Sequence, residues 1–274
     1  MADFPLQGSG GDVTTAQLDA ISRRTIAGLT LTRDAGDTDH DINVTAGEAR
    51  DVGNAVTMLL ASEITKRIDA TFTAGDDGGG LDTGAVAAST GYGVWLIRNP
   101  TTKAVDVLIS LVMDSQGTPT LPAGFTQRRL IGWVRTNSSS NVMAFEHIGD
   151  YFRILEALEL DWNDLSITSG VFEIVTTTVP PNCMADLSAQ LSNATASGTF
   201  GTLTIRTGGA ADAAEARQGF NAIQTAGTFD ECTGYGMVLT NGSSELQYAG
   251  TSTGGSAEVK GLIRGCLMLT RSNP

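Results

Sequence analysis

Cysteine, histidine and positive charge are all scarce in this chain. Its 274 residues include three cysteines, Cys183, Cys232 and Cys266, with no C-x-x-C pair among them. An odd number at wide spacing excludes a disulfide framework and a zinc site of ordinary ligand spacing, leaving buried thiols as the expectation. The only histidines are His40 and His147, and neither G-x-S-x-G nor H-E-x-x-H occurs. Nothing therefore marks either ring as a general base beside a nucleophile or as half of a metal site, and no cofactor is expected. Lys and Arg number 17 against 30 Asp and Glu, a formal net charge of -13. Each phosphate contact needs a cation to displace counterions, so a nucleic-acid partner is excluded, and the acidity reads as solubility. No window approaches the ~20 apolar residues of a spanning helix. The start, Met1-Ala2-Asp3-Phe4-Pro5, has no basic stretch followed by an apolar run, so neither membrane insertion nor a secretory leader is expected, and synthesis is cytoplasmic.

What is abundant forms strands and turns. Charged residues make up 17% and glycine 33 positions, while apolar content is an ordinary 41%, a balance that favours many short strands over helices with charged faces. The length suggests two modest domains. Residues 14–26 are the one helical signal, with Leu18, Ile21 and Ile26 at helical spacing, Thr14 and Gln17 as a capping box and Gly28 as a stop. About three amphipathic turns are marginal alone in water, so this helix must pack on its own domain or on copies of itself.

From Leu29 the period becomes two, and residues 29–32, 41–44 and 105–109 read as strands. Residues 56–68 read as a strand passing into a helical turn. Residues 75–84 are too glycine-rich for a regular element and read as a loop. Residues 92–98 turn at Asn99-Pro100 into the strand around Val107, and 128–135 pairs with 141–147 across a polar turn. This outlines an anchor over 1–28, a β-rich stem domain over 29–152 and a linker over 153–164 that is a brief helix or an extended connector. The second domain, 165–274, carries six strand candidates at 171–179, 183–191, 202–207, 235–240, 245–249 and 261–270, the pattern of a β-sandwich or jelly roll. Asn241-Gly242 is its strongest hairpin signal. The alanine-rich run 210–224 is a helix or an exposed insertion, and no internal repeat is present.

Few constellations suggest chemistry. Asp37, Asp39, Asp41, Asn43, Thr45 and Glu48 reproduce most oxygen positions of a calcium-binding EF-hand loop, but Ile42 stands where that loop needs glycine, and strands flank it. It reads as a solvated acidic turn. The glycine-rich stretch 75–80 carries Asp76 and Asp77, which repel phosphate. Arg128 and Arg129, with Arg135, form a basic island that meets a carboxylate-rich partner or subunit, or else an acid of its own chain or solvent on a strand face. Trp95, Trp133 and Trp162 lie within apolar strand patterns and read as core anchors. Tyr235 and Tyr248, close to the glycine and serine turns of the second domain, are placed for binding at a loop-rich tip.

Several motifs of the first half also recur in a known order: Asp41-Ile42-Asn43-Val44-Thr45-Ala46-Gly47, Ile64-Thr65-Lys66-Arg67-Ile68-Asp69-Ala70, Gly79-Gly80-Leu81-Asp82-Thr83-Gly84, Val94-Trp95-Leu96-Ile97-Arg98, Leu121-Pro122-Ala123-Gly124-Phe125-Thr126 and Arg128-Arg129-Leu130-Ile131-Gly132. Over about residues 29–151 the chain resembles a module of tailed-bacteriophage tail fibre and virion fibre (spike) proteins. The resemblance implies a non-enzymatic, exposed, homotrimeric virion component, made in the host cytoplasm. Its amino-terminal segment, with Leu18 and Ile21, would dock on capsid or tail proteins. Its second half would face a host-surface glycan or protein. Two alternatives share the resemblance: a head fibre or capsid decoration protein, and a polysaccharide-degrading spike enzyme with paired carboxylates roughly 5–9.5 Å apart. A secreted adhesin would need a leader, and none is expected from the way the sequence starts.

Overall fold

The computed structural model describes residues 26–165, 167–168, 170–193, 201–209, 221–224, 231–252 and 257–269. Every regular element among them is a β-strand, so the mainly β class predicted from period-two patterning holds. The expected helix with Leu18 and Ile21 lies outside the described residues.

The first ten strands are β1 (Ile26–Gly28), β2 (Leu31–Arg33), β3 (Asp41–Val44), β4 (Gly47–Arg50), β5 (Thr57–Leu60), β6 (Ile64–Thr71), β7 (Gly78–Leu81), β8 (Gly91–Arg98), β9 (Val105–Ser110) and β10 (Gln127–Arg135). They form a 3-stranded sheet, β1-β4-β5, and a 7-stranded sheet, β10-β8-β9-β7-β6-β3-β2. β8 pairs with β9 and β10 on its two sides and is buried on both faces from Gly91 to Ile97. That explains its unbroken apolar run, where a half-exposed strand would alternate.

Three local expectations fail here, the first two for identifiable reasons. Residues 56–68 hold no helical turn: β5 and β6 are separate strands, and the apolar spacing comes from their inward faces. The glycine-rich stretch is not all loop, because Gly78–Leu81 is β7, parallel to both β6 and β9. A side chain at Gly79 would put its Cβ 2.0 Å from the Thr71 carbonyl oxygen, so glycine is what lets the two backbones approach. The pairing of 128–135 with 141–147 shrinks to the isolated bridge between Thr136 and Val142.

The remaining strands are β11 (Phe145–Ile148), β12 (Tyr151–Ile154), β13 (Leu160–Asp164), β14 (Glu173–Thr176), β15 (Met184–Asn193), β16 (Gly201–Thr207), β17 (Asn221–Gln224), β18 (Glu231–Leu239), β19 (Glu245–Ser252) and β20 (Ala257–Leu267). All six strands expected in this half are present. The ten strands β11 to β20 divide into a 6-stranded sheet, β11-β12-β20-β15-β18 with β13 also on β20, and a 4-stranded sheet, β14-β19-β16-β17. Inward rows from both sheets, Ala185, Leu187, Ala189 and Leu191 against Leu203 and Ile205, are buried in one core, giving a sandwich-like packing. Of the alanine-rich run, Asn221–Gln224 is β17, paired with β16, and 210–220 lies outside the described residues.

Residues 153–164 are not a helix: they end β12 and supply β13, both antiparallel to β20. The two halves also touch through buried polar contacts. Trp133 Nε1 donates to the Thr178 carbonyl at 2.8 Å, and Arg135 pairs with Asp161 at 3.4 Å with both side chains inaccessible. Burial pushes the Asp161 carboxyl up, opposed by the Arg135 charge and by hydrogen bonds from Thr178. The apolar core is one cluster running from Leu29 to Met268.

Asn241-Gly242 does make a turn but joins no hairpin, since β18 pairs with β15 while β19 pairs with β14 and β16. The turn carries the chain from one sheet to the other. Asn241 Oδ1 accepts from the amides of Ser243 and Glu245, each at 2.9 Å, and the left-handed residue is Ser244, at φ 61. Asn241→Ala removes both bonds and should lower stability by about 1–2 kcal/mol, read as a fall in the urea midpoint at constant slope. An unchanged midpoint would show that the sheets alone set this crossing.

Candidate functional site

The outward face of the 6-stranded sheet is where polar and aromatic side chains collect. Strand alternation dictates it: in β18 Thr233, Tyr235 and Met237 are exposed between buried Gly234 and Val238, and in β15 Asp186 points away from the core while Ala185 and Leu187 enter it. Asp186 and Arg153 both lie opposite Gly265 of the central strand β20. A Cβ at Gly265 would sit 2.3 Å from the Phe152 carbonyl oxygen, so glycine permits β12 to pack this close.

Across that gap the Tyr151 hydroxyl donates to Asp186 Oδ2 at 2.6 Å. Arg264 Nη1 stands 3.7 Å from Asp186 Oδ1, and its guanidinium lies 5.3 Å from the centre of the Tyr235 ring, within cation–π reach. Burial, and then the hydrogen bond to Asp186, push the Tyr151 phenol up to about 12, so it remains a donor at any physiological pH. Beside this cluster opens a cleft of about 250 Å³, whose walls include Tyr151, Arg153, Glu156, Asp186 and Arg264 with Leu155 and Leu158. It combines hydrogen-bond donors, carboxylate acceptors and apolar surface, the equipment of a recognition site.

Of the residues singled out from sequence, Tyr235 belongs to this face and is 65% exposed. Tyr248 does not: it is 5% exposed, stacks on Trp162 at 6.0 Å and donates to Asp164 at 3.0 Å. Its inward position follows from β19, whose alternate residues Leu246 and Tyr248 both face the core, something proximity to turns did not reveal. Arg128 clamps a loop of its own chain, donating through Nε to the Gly117 carbonyl at 2.8 Å and through Nη2 to Thr118 Oγ1 at 2.7 Å. Arg129, one residue on, is 3% exposed and so faces inward. Tyr151, Arg153, Asp186 and Arg264 were not legible as a group, because only strand register unites residues so far apart in sequence.

Other polar clusters are engaged in structure. In the acidic turn, Asp37 Oδ1 accepts from the amides of Asp39 and His40 at 3.0 and 3.1 Å, and Oδ2 lies 3.2 Å from His40 Nδ1. The His40 contact holds the Asp37 carboxyl below its usual range. His147 Nδ1 accepts from the Leu31 amide at 2.9 Å, which fixes the proton on Nε2, where it reaches the Gly149 carbonyl at 2.8 Å. A second cleft of about 430 Å³ near β5 is lined by Glu63, Asp76 and Lys103 among others. Its Asp76 is committed to the Thr65 amide at 2.7 Å, and Lys103 to the Pro100 carbonyl at 2.6 Å.

No family model matches the chain, and no curated protein matches it. Among solved structures it is similar at 10% identity to a chain of the T13 viral particle of infectious bursal disease virus, with a TM-score of 0.27 over 90% of this chain and 68% of that one. The VP2 subviral particle of the same virus gives 10% identity and a TM-score of 0.24 over 90% and 71%. The isomalto-dextranase of Arthrobacter globiformis T6, complexed with panose, gives 13% identity and a TM-score of 0.22 over 89% of this chain and 39% of its own. Two of these three are viral capsid proteins and one is a carbohydrate-active enzyme, and at such TM-scores none of them carries an argument about this chain.

Proposed function

We propose that the protein is a non-enzymatic structural component of a tailed-phage virion, a tail fibre or spike, assembled as a homotrimer. Residues 1–28 attach it to the particle, and the outward face of the 6-stranded sheet is turned to the host surface. The observation that carries this reading is that five of the six recurring motifs of the first half lie wholly or partly on strands of one sheet, while residues 121–126 form the turn leading into β10. Asp41–Val44 is β3, Ile64–Thr71 is β6, Gly78–Leu81 is β7, and the Val94 and Arg128 motifs lie in β8 and β10. A fibre module would have to repeat such a sheet as a unit, because register binds its strands together. Trimerisation has its own rationale. Edge strands and exposed apolar side chains, Leu165, Val171 and Ile174 among them, are aggregation-prone until an association covers them.

Immunogold labelling of particles with an antibody to the chain is expected to mark the tail. Label on the capsid surface instead would favour the head-fibre or decoration alternative, and absence from particles would overturn the reading. Deleting residues 1–28 should leave a soluble, folded protein that fails to enter particles, and normal incorporation would remove the anchor role. Shortening of host-envelope polysaccharide by the purified chain would overturn the non-enzymatic assignment.

A further inference from the structure

We propose that the cleft beside Tyr151 and Asp186 binds a single acidic sugar residue, of the uronic-acid class, within a larger glycan. The inference rests on the reading that this sheet face meets a host surface, and it names the ligand chemistry of that face.

Size sets the first limit. At about 250 Å³ the cleft falls just below the usual ~300–1,000 Å³ of sites for drug-sized ligands, which suits one pyranose ring and not a peptide segment. Charge sets the second. Two guanidiniums line it, and each is held only loosely: Arg153 lies 4.0 Å from Glu146, and Arg264 lies 3.7 Å from Asp186. An arginine offers five N–H donors in a planar fork that matches a carboxylate, so both retain donors for a ligand acid. Unmet acceptors set the third. Asp186 Oδ1 has only the distant Arg264 contact, and Glu156 lines the same cleft. Ring hydroxyls are donors of the kind that such carboxylates accept.

No simpler ligand meets all of these demands. A plain carboxylate would engage the arginines and leave the acceptors unmet, whereas a neutral sugar would serve the acceptors and leave the guanidiniums with only their loose contacts to Glu146 and Asp186. A uronic acid presents both from one ring. Tyr235, exposed next to Arg264, adds a flat surface against which the C–H face of the next sugar can lie.

The test uses the full chain with sodium glucuronate, glucose and sodium acetate as probes, read by ligand-observed saturation-transfer NMR and titrated for dissociation constants. Glucuronate is expected to bind, with glucose and acetate each at least about tenfold weaker, the equivalent of one charged hydrogen bond. Arg153→Gln and Arg264→Gln should each weaken glucuronate about tenfold, with an unchanged thermal midpoint for Arg153→Gln, whose side chain is 58% exposed, and at most a small fall for Arg264→Gln, which is 41% exposed. Equal binding of acetate and glucuronate would reduce the cleft to a carboxylate clamp and overturn the sugar assignment. Equal binding of glucose would overturn the acidic one. Glucuronate binding untouched by both substitutions, or no binding at all, would overturn the site. The two readings fail separately: a chain found on tails whose arginine variants bind glucuronate normally sinks only this inference, and a chain absent from particles that still binds glucuronate through these arginines sinks only the virion role.

Discussion

Lys66→Ala is expected to lower the free energy of unfolding by about 3–5 kcal/mol, the usual cost of breaking a buried ion pair from one side. Lys66 has no exposed surface. Its ammonium donates to the Thr73 carbonyl at 2.7 Å and the Gly75 carbonyl at 2.9 Å, and lies 3.0 Å from Asp106 Oδ1. Asp106 in turn accepts the Gly75 amide at 2.8 Å and the Val107 amide at 2.7 Å. The substitution therefore leaves a buried carboxylate without its cation and two carbonyls without their donor. Adding Asp106→Asn to the Lys66 variant should restore part of the loss, because an amide carries no charge to strand. A double-mutant cycle in urea, followed by tryptophan fluorescence, measures that coupling. A loss below about 1 kcal/mol for Lys66→Ala would mean that water reaches the pair, contrary to its burial.

Trp133→Ala should cost a similar ~3–5 kcal/mol, the range for emptying a large aromatic site in a core. This side chain is 1% exposed, and its indole donates across the boundary expected between stem and distal domains, to the carbonyl of Thr178. Trp133→Phe keeps most of the apolar contact but leaves that carbonyl unmet, so about 1–3 kcal/mol should go. The form of the transition is as informative as its midpoint. With Arg135 and Asp161 paired nearby and the core continuous, both halves should unfold in one step, and fluorescence and circular dichroism should coincide in the variant as in the parent. Separate transitions would return the molecule to two independent domains.

Strand positions were the most legible part of this fold, because a period of two is a local property of the sequence. Lys66 was not legible: residues 56–68 read as a strand passing into a helical turn, and only the observed strand β6 places it in the inward row with Ile64 and Ile68. β7 was hidden by its own glycines, which mark a loop by composition and a close backbone approach by structure. Asn241 and Gly242 showed that the chain turns, without showing which sheets it turns between. Of the candidate site only Tyr235 was picked out, by its nearness to turns, and the same cue picked Tyr248, which faces the core. The group formed by Tyr151, Arg153, Asp186 and Arg264 depends on three strands meeting in register, and no window of sequence contains it.

The position of β20 bears on how the chain is made. It lies in the middle of its sheet, with β12 and β13 along one side and β15 along the other, so a nascent chain that has not yet reached residue 257 has a gap where the sheet should be continuous. Until that strand leaves the ribosome, β15 presents an open edge to neighbouring nascent chains, and ladders spanning more than 100 residues cannot close. Synthesis rate and chaperone capture during that interval would therefore govern yield more than the stability of the finished fold does.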